Sequence, residues 1–110
     1  MTKIIIYKNK NHILGFEVSG HSGYAEEGSD IVCSAISTAT QMAVLGITKI
    51  LKLDAFVEVS NGYLKFMLNK NNYLDDKAQF ILKSMQSSLQ EIAKEYGNYF
   101  KMEVKKDDVF

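Results

Sequence analysis

Asn61-Gly62 stands between two short runs, 55–60 and 63–68, in which apolar and polar residues alternate. Alternation with a period of two is typical of a strand that buries one face. An Asn-Gly pair between such runs is a strong hairpin signal, because both residues tolerate the positive φ of a type I′ turn. The sequence therefore predicts an antiparallel strand pair joined by a type I′ turn.

Three further strands are predicted outside this hairpin. Residues 3–8 are rich in isoleucine, residues 13–19 alternate, and the polar segment between them suits a hairpin loop. A last strand is indicated by alternating apolar residues near the end of the chain, Phe100, Met102 and Val104. Two strand pairs and one further strand are thus expected.

Two helices are predicted from apolar residues at three- and four-residue steps. The first covers residues 31–52, with Asp30 as its N-cap and Gly46 weakening it without ending it. The second covers about 75–96 and stops at Gly97. The order is therefore ββαββαβ, an α+β fold in which two helices pack on a mostly antiparallel or mixed sheet. We expect residues 1–110 to form a single domain, since 110 residues leave no room for two.

Charge and cysteine content narrow the functional classes. Thirteen basic and 13 acidic residues give a net charge of +0, which provides no general electrostatic footprint for nucleic acid. The apolar runs are read as too short to span a bilayer, so no membrane partner is expected. A single cysteine cannot form an internal disulfide, which favours a cytoplasmic location.

Cys33 and His21 are the candidate catalytic residues. With Asp30 as the cap, Cys33 takes the third position of the first helix, where the positive end of the dipole and unpaired N–H groups favour a thiolate. His21 precedes a glycine-rich segment that could bring an imidazole back to the helix start as general base. Ser37 lies one turn further along the helix. Asp30 could orient the imidazole instead of, or besides, capping the helix. Spacing alone leaves open that Cys33 is a buried structural residue.

Other chemistries fit the same segment poorly. A structural zinc site needs about four ligands, and few side chains could add to this pair. A phosphate cradle is disfavoured by Glu26, Glu27 and Asp30 and by the missing P-loop pattern. No metal and no organic cofactor are therefore expected.

Residues 20–37, GHSGYAEEGSDIVCSAIS, resemble the signature of the Prp family, the bacterial ribosomal-processing cysteine proteases. Ser22 and Ser34 stand where alanine is common in that family. The resemblance implies Cys33 as nucleophile and His21 as base. It also implies a supporting or substrate-binding role for four motif positions, namely Gly20, Gly23, Asp30 and Ser37.

The resemblance further implies a homodimer and a substrate. The substrate would be a precursor of the twenty-seventh large-subunit ribosomal protein, from which a site-specific endopeptidase removes an N-terminal extension. The segment between His21 and Asp30 would then close over the peptide. The alternative is a non-enzymatic ribosome-associated assembly or binding module in which Cys33 is structural. A thiol-based redox enzyme is disfavoured by the lack of a second cysteine.

Overall fold

The chain folds into a five-stranded sheet and two helices, in the order that the sequence predicts. The structure is a computed structural model that describes residues 2–20 and 27–106, with residues 27–30 described as backbone. Within these ranges the elements are β1 (Thr2–Asn9), β2 (His12–Ser19), α1 (Glu27–Leu45), β3 (Ala55–Ser60), β4 (Tyr63–Leu68), α2 (Asp76–Tyr96) and β5 (Phe100–Lys106). The predicted ββαββαβ order is confirmed.

The sheet has the strand order β3-β4-β2-β1-β5 and is mixed, as predicted. Four strands pair antiparallel, and β5 alone pairs parallel, with Thr2 opposite Phe100 at the start of β1. Strand β1 is therefore held on both sides, by β2 and by β5. The first residues of β1 are fixed by a segment from the far end of the described chain.

The hydrophobic core lies between one face of the sheet and the two helices. Alternate residues of the inner strands bury their side chains there, since successive side chains of a strand point to opposite faces. The fully buried members include Ile4, Ile6, Phe16 and Phe66 from the sheet and Ala43, Ile47, Leu82 and Leu89 from the helical segments. The rings of Phe16 and Phe66 stack with centroids 5.4 Å apart.

The hairpin at Asn61-Gly62 is confirmed, but its turn is not type I′. Ser60 pairs with Tyr63, so the two strands meet across a two-residue turn. Gly62 has φ 72°, whereas Asn61 does not take a positive φ, which a type I′ turn requires of both residues. The Gly62 carbonyl accepts a hydrogen bond of 2.9 Å from the N–H of Gly20, which ties this turn to the end of β2.

Helix α2 follows its prediction closely. The Asp75 side chain caps it by accepting a hydrogen bond of 2.9 Å from the N–H of Ala78. Gln79 is buried, and its side-chain amide bonds both the N–H and the carbonyl of Ile13 at 2.8 Å. This bridge fixes the start of α2 against β2. Gly97 is the C-cap, and a Cβ there would come within 2.8 Å of the Ala93 carbonyl.

Helix α1 differs from its prediction at both ends. It includes Glu27, so Asp30 lies inside the helix and the predicted N-cap is wrong. A carboxylate-bearing residue suits the first turn of a helix as well as its cap, and Asp30 alone therefore does not fix the start. The α-helix ends at Leu45 and continues as a π-helical turn, Gly46–Ile50, rather than running to residue 52. Gly46 packs so close to α2 that a Cβ would meet the Ile81 Cδ1 at 3.3 Å.

The helical segment Ile31–Ile50 also corrects an expectation about apolar runs. Its 20 residues are long and apolar enough, by length and composition, to cross a membrane. The core helix of a soluble domain meets the same criteria. Here the side chains of Val32, Ile36, Ala43 and Ile47 are buried in the core.

Candidate active site

A cleft of about 550 Å³ opens between α1 and the β3–β4 hairpin. One wall is formed by α1 at the margin of the core, and the other is the hairpin with the adjoining ends of β1 and β2. The helix contributes Cys33, Ile36, Ser37, Thr40, Gln41, Val44 and Leu45, and the opposite wall includes Val18, Val57, Val59, Tyr63 and Leu64. The cleft is thus largely apolar, with a few polar groups along the helix.

Cys33 lies at the end of the helical wall that is nearest the N-terminus of α1. Its side chain is half-buried, and Sγ is 3.8 Å from Oγ1 of Thr2, the first residue of β1. Cys33 is the seventh residue of α1 and not the third, so the predicted position in the first turn is wrong. The unpaired N–H groups of a helix belong to its first four residues. The proposed activation of Cys33 by these groups therefore loses its structural basis.

Ser37 and Gln41 form a polar pair on the same wall. Ser37 is exposed, and its hydroxyl accepts a hydrogen bond of 2.8 Å from Nε2 of Gln41. Both residues line the cleft with Cys33, one and two turns along the helix. Ser37 therefore lies on the helical wall of the cleft with its hydroxyl bonded to Gln41.

The remaining predicted site residues are Gly20, His21, Gly23 and Asp30. Gly20 lines the cleft and has φ 83°, a conformation that strains a residue with a Cβ. His21 follows it directly in the chain, and both His21 and Gly23 lie outside the described residues. Asp30 is described as backbone within α1.

Glu17, Tyr63 and Tyr7 form a polar cluster on neighbouring strands, on the face of the sheet opposite the helices. The Tyr63 hydroxyl donates a hydrogen bond of 2.5 Å to Oε1 of Glu17, and the Tyr7 hydroxyl lies 3.5 Å from Oε2. The bond to Glu17 and the nearby negative charge raise the pKa of Tyr63 to about 12. The shift does not change the charge of Tyr63 at neutral pH, and its hydrogen bond to Glu17 links β4 to β2.

Several residues of the cleft were not among the predicted site residues. Val57 and Val59 alternate onto the helix-facing side of β3, yet Val59 remains 71% exposed because α1 does not cover it. Thr2 begins β1 on the side of the strand that carries Ile4 and Ile6, and nothing in the sequence singled it out. Among the residues that the structure describes, no group of three His, Cys, Asp or Glu side chains could hold a metal ion.

A model of the cysteine protease Prp family matches residues 1–101. The chain belongs to the Prp family of cysteine proteases. This agrees with the resemblance of residues 20–37, and Cys33 is the single cysteine of the chain.

Prp relatives of similar length match in sequence. The ribosomal processing cysteine protease Prp of Staphylococcus aureus (strain Mu50) is 29% identical over 108 residues, 96% of this chain and 99% of that protein. The Bacillus subtilis (strain 168) protein of the same name is 27% identical over 88 residues, 76% of this chain and 79% of its own length.

Solved structures match the whole fold. S. aureus Prp in complex with a substrate peptide superposes with a TM-score of 0.84 at 26% identity, covering 96% of this chain and 100% of that chain. The same enzyme with a covalently linked product peptide gives a TM-score of 0.82. SMU.848 from Streptococcus mutans shares the fold, with a TM-score of 0.84 at 22% identity over 97% of this chain and 96% of its own.

Proposed function

We propose that this protein is a site-specific endopeptidase in which Cys33 is the nucleophile and His21 is the general base and acid. The observation that carries the proposal is the placement of the single cysteine at the head of an apolar cleft, in a chain of a cysteine protease family. Gly20, at the same cleft, precedes His21 in the chain. Ser37 and Asp30 are proposed to support substrate or site, without an assigned step.

The cleft has the dimensions of a short peptide groove. Cys33 to Leu45 span about 18 Å at the rise of an α-helix. An extended chain advances about 3.3 Å per residue, so about five substrate residues could lie along the wall. Aliphatic side chains on both walls would receive apolar substrate side chains, and the Ser37–Gln41 pair would meet peptide polar groups.

The proposed reaction needs no group beyond the chain and water. The thiolate of Cys33 attacks the scissile carbonyl carbon, and the tetrahedral intermediate collapses as His21 donates a proton to the leaving amine. Water, deprotonated by His21, then attacks the thioester, and collapse of the second tetrahedral intermediate releases the carboxylic acid product and the Cys33 thiolate beside protonated His21. The charge of the thiolate is regenerated in each cycle.

The proposed substrate is a precursor of the twenty-seventh large-subunit ribosomal protein with an N-terminal extension, cleaved in the cytoplasm. The relatives named above are ribosomal processing proteases, and one of them has been solved with a substrate peptide. This ribosomal protein is proposed because residues 20–37 resemble the signature of the Prp family.

We propose in addition that the protein acts as a homodimer. The motif resemblance implies this state, and α1 has exposed apolar side chains away from the cleft, Ile31 and Met42. Analytical ultracentrifugation should give twice the chain mass. A monomer at all tested concentrations would contradict the homodimer and leave the protease proposal intact.

The protease proposal is tested by incubating the purified protein with the ribosomal precursor and measuring fragment masses. We expect one cut in the wild type, none with Cys33→Ala, and a strong loss with His21→Ala. Ser34→Ala, which changes the neighbouring exposed residue of α1, is the matched control and should cleave normally.

Two results would contradict the proposal. Full cleavage by Cys33→Ala would exclude this thiol as the nucleophile. Binding of the precursor without any cleavage by the wild type would instead support a non-enzymatic binding module.

A further inference from the structure

Thr2 and Cys33 bring two polar groups together at the edge of the core. Oγ1 of Thr2 lies 3.8 Å from Sγ of Cys33, within hydrogen-bond reach for sulfur, although 31 residues separate the two in the chain. Thr2 is only 4% exposed, so water has little access to its hydroxyl. A buried hydroxyl needs a partner, because leaving it unpaired costs about 1–3 kcal/mol.

The position of Thr2 is fixed by the sheet. Thr2 is opposite Phe100 of β5, and the next residue, Lys3, pairs with Ser19 of β2. Since side chains alternate along β1, the orientation that buries Ile4 and Ile6 in the core also turns Thr2 toward α1. The hydroxyl is therefore held beside the sulfur by backbone pairing on both sides of the strand.

We infer that Thr2 is a positioning residue that donates a hydrogen bond to the thiolate of Cys33 and so favours the ionised, nucleophilic form. The inference rests on Cys33 as the proposed nucleophile. In the thiol form either atom can be the donor. In the thiolate form the sulfur carries no proton, so the hydroxyl must donate, and a bond to a charged acceptor is the stronger one.

Thr40 is the natural comparison, because it lines the same cleft and is equally buried. Its hydroxyl is engaged within α1, where it donates to the carbonyl of Ile36 at 2.8 Å. Both residues can be changed to valine, which keeps the shape of the side chain and removes the hydroxyl. Only the change at Thr2 removes a group that faces the sulfur.

The experiment measures the rate at which iodoacetamide alkylates Cys33 across pH, followed by intact mass. With Thr2→Val we expect the midpoint of the rate profile to move to higher pH by about one pH unit. The alkylation rate at neutral pH should then fall about tenfold, because the thiolate fraction below the midpoint falls tenfold for each pH unit of that shift. The plateau at high pH should not fall, because a thiolate without a donor is at least as nucleophilic. Thr40→Val should keep the wild-type midpoint.

A purely structural role for Thr2 would lower the plateau without moving the midpoint, and that result would overturn the inference. A midpoint that moves to lower pH would overturn it as well. If Thr2→Val does not fold, the pair Thr2→Ser and Thr2→Ala replaces it, with the wild-type midpoint expected for serine and the shifted midpoint for alanine. Alkylation needs no turnover, so a protein that fails to cleave the precursor still tests the contact.

Discussion

The two helices pack against each other but serve the molecule differently. Helix α2 is a regular helix of 21 residues with a side-chain cap and a continuous buried stripe. Helix α1 buries one side, leaves the side with Cys33 open to the cleft, and ends in a π-helical turn. Helix α2 therefore mainly stabilises the fold, whereas α1 leaves part of its surface unburied along the cleft.

The largest effect should come from truncation of the α2 stripe. Leu82 is fully buried, so Leu82→Ala should lower the free energy of unfolding by about 2–5 kcal/mol through lost burial and a cavity. Urea denaturation measures this, with Phe80→Ala on the exposed side of α2 as the control that changes little. If α2 serves mainly the fold, activity per folded molecule should stay near that of the wild type. A selective loss of activity would break the contrast between the helices.

A smaller and different effect is expected on the open side of α1. Leu45 lines the far end of the cleft and is 52% exposed, so Leu45→Ser should cost little stability. Loss of an apolar contact should lower kcat/KM for the precursor about tenfold, mainly through KM. Ile50→Ser, an exposed change outside the cleft lining, is the control. Equal effects of both variants would argue against a peptide groove along α1.

The smallest effect concerns the cap of α2. Asp75→Ala removes the acceptor for the N–H of Ala78 and should cost about 1 kcal/mol of unfolding free energy. Asp75→Asn should retain most of the stability, because an asparagine side chain also caps. Thermal unfolding of Asp75→Ala and Asp75→Asn measures this difference in stability. Neither change touches the cleft, so activity per folded molecule should be unchanged. A loss with Asn as large as with Ala would mean that capping is not what Asp75 contributes.

Regular local patterns made most of the fold predictable. The alternation on both sides of Asn61-Gly62 predicted the bounds of β3 and β4 as the structure has them, and the stripe around Leu82 predicted α2 within a residue. These elements are decided by burial of side chains that are near in sequence. These elements can therefore be predicted from the sequence without knowledge of the tertiary structure.

The site was less predictable because it depends on contacts between distant segments. Nothing local distinguishes Asp30 as a cap from Asp30 inside a first turn, so Cys33 was placed one turn too near the helix start. Thr2 reaches Cys33 only through strand pairing, and Val59 is a cleft residue only because α1 stops short of it. Sequence patterns singled out Cys33 as the candidate nucleophile but did not predict the residues that surround it.

The parallel pairing of β1 with β5 has a consequence for synthesis of the protein. Thr2 cannot be held opposite Phe100 until residues 100–106 have left the ribosome and docked. Such a non-local pairing is a late event, because it closes almost the whole described chain into one loop. A nascent chain would therefore complete β1, and with it the neighbourhood of Cys33, only after β5 has been synthesised.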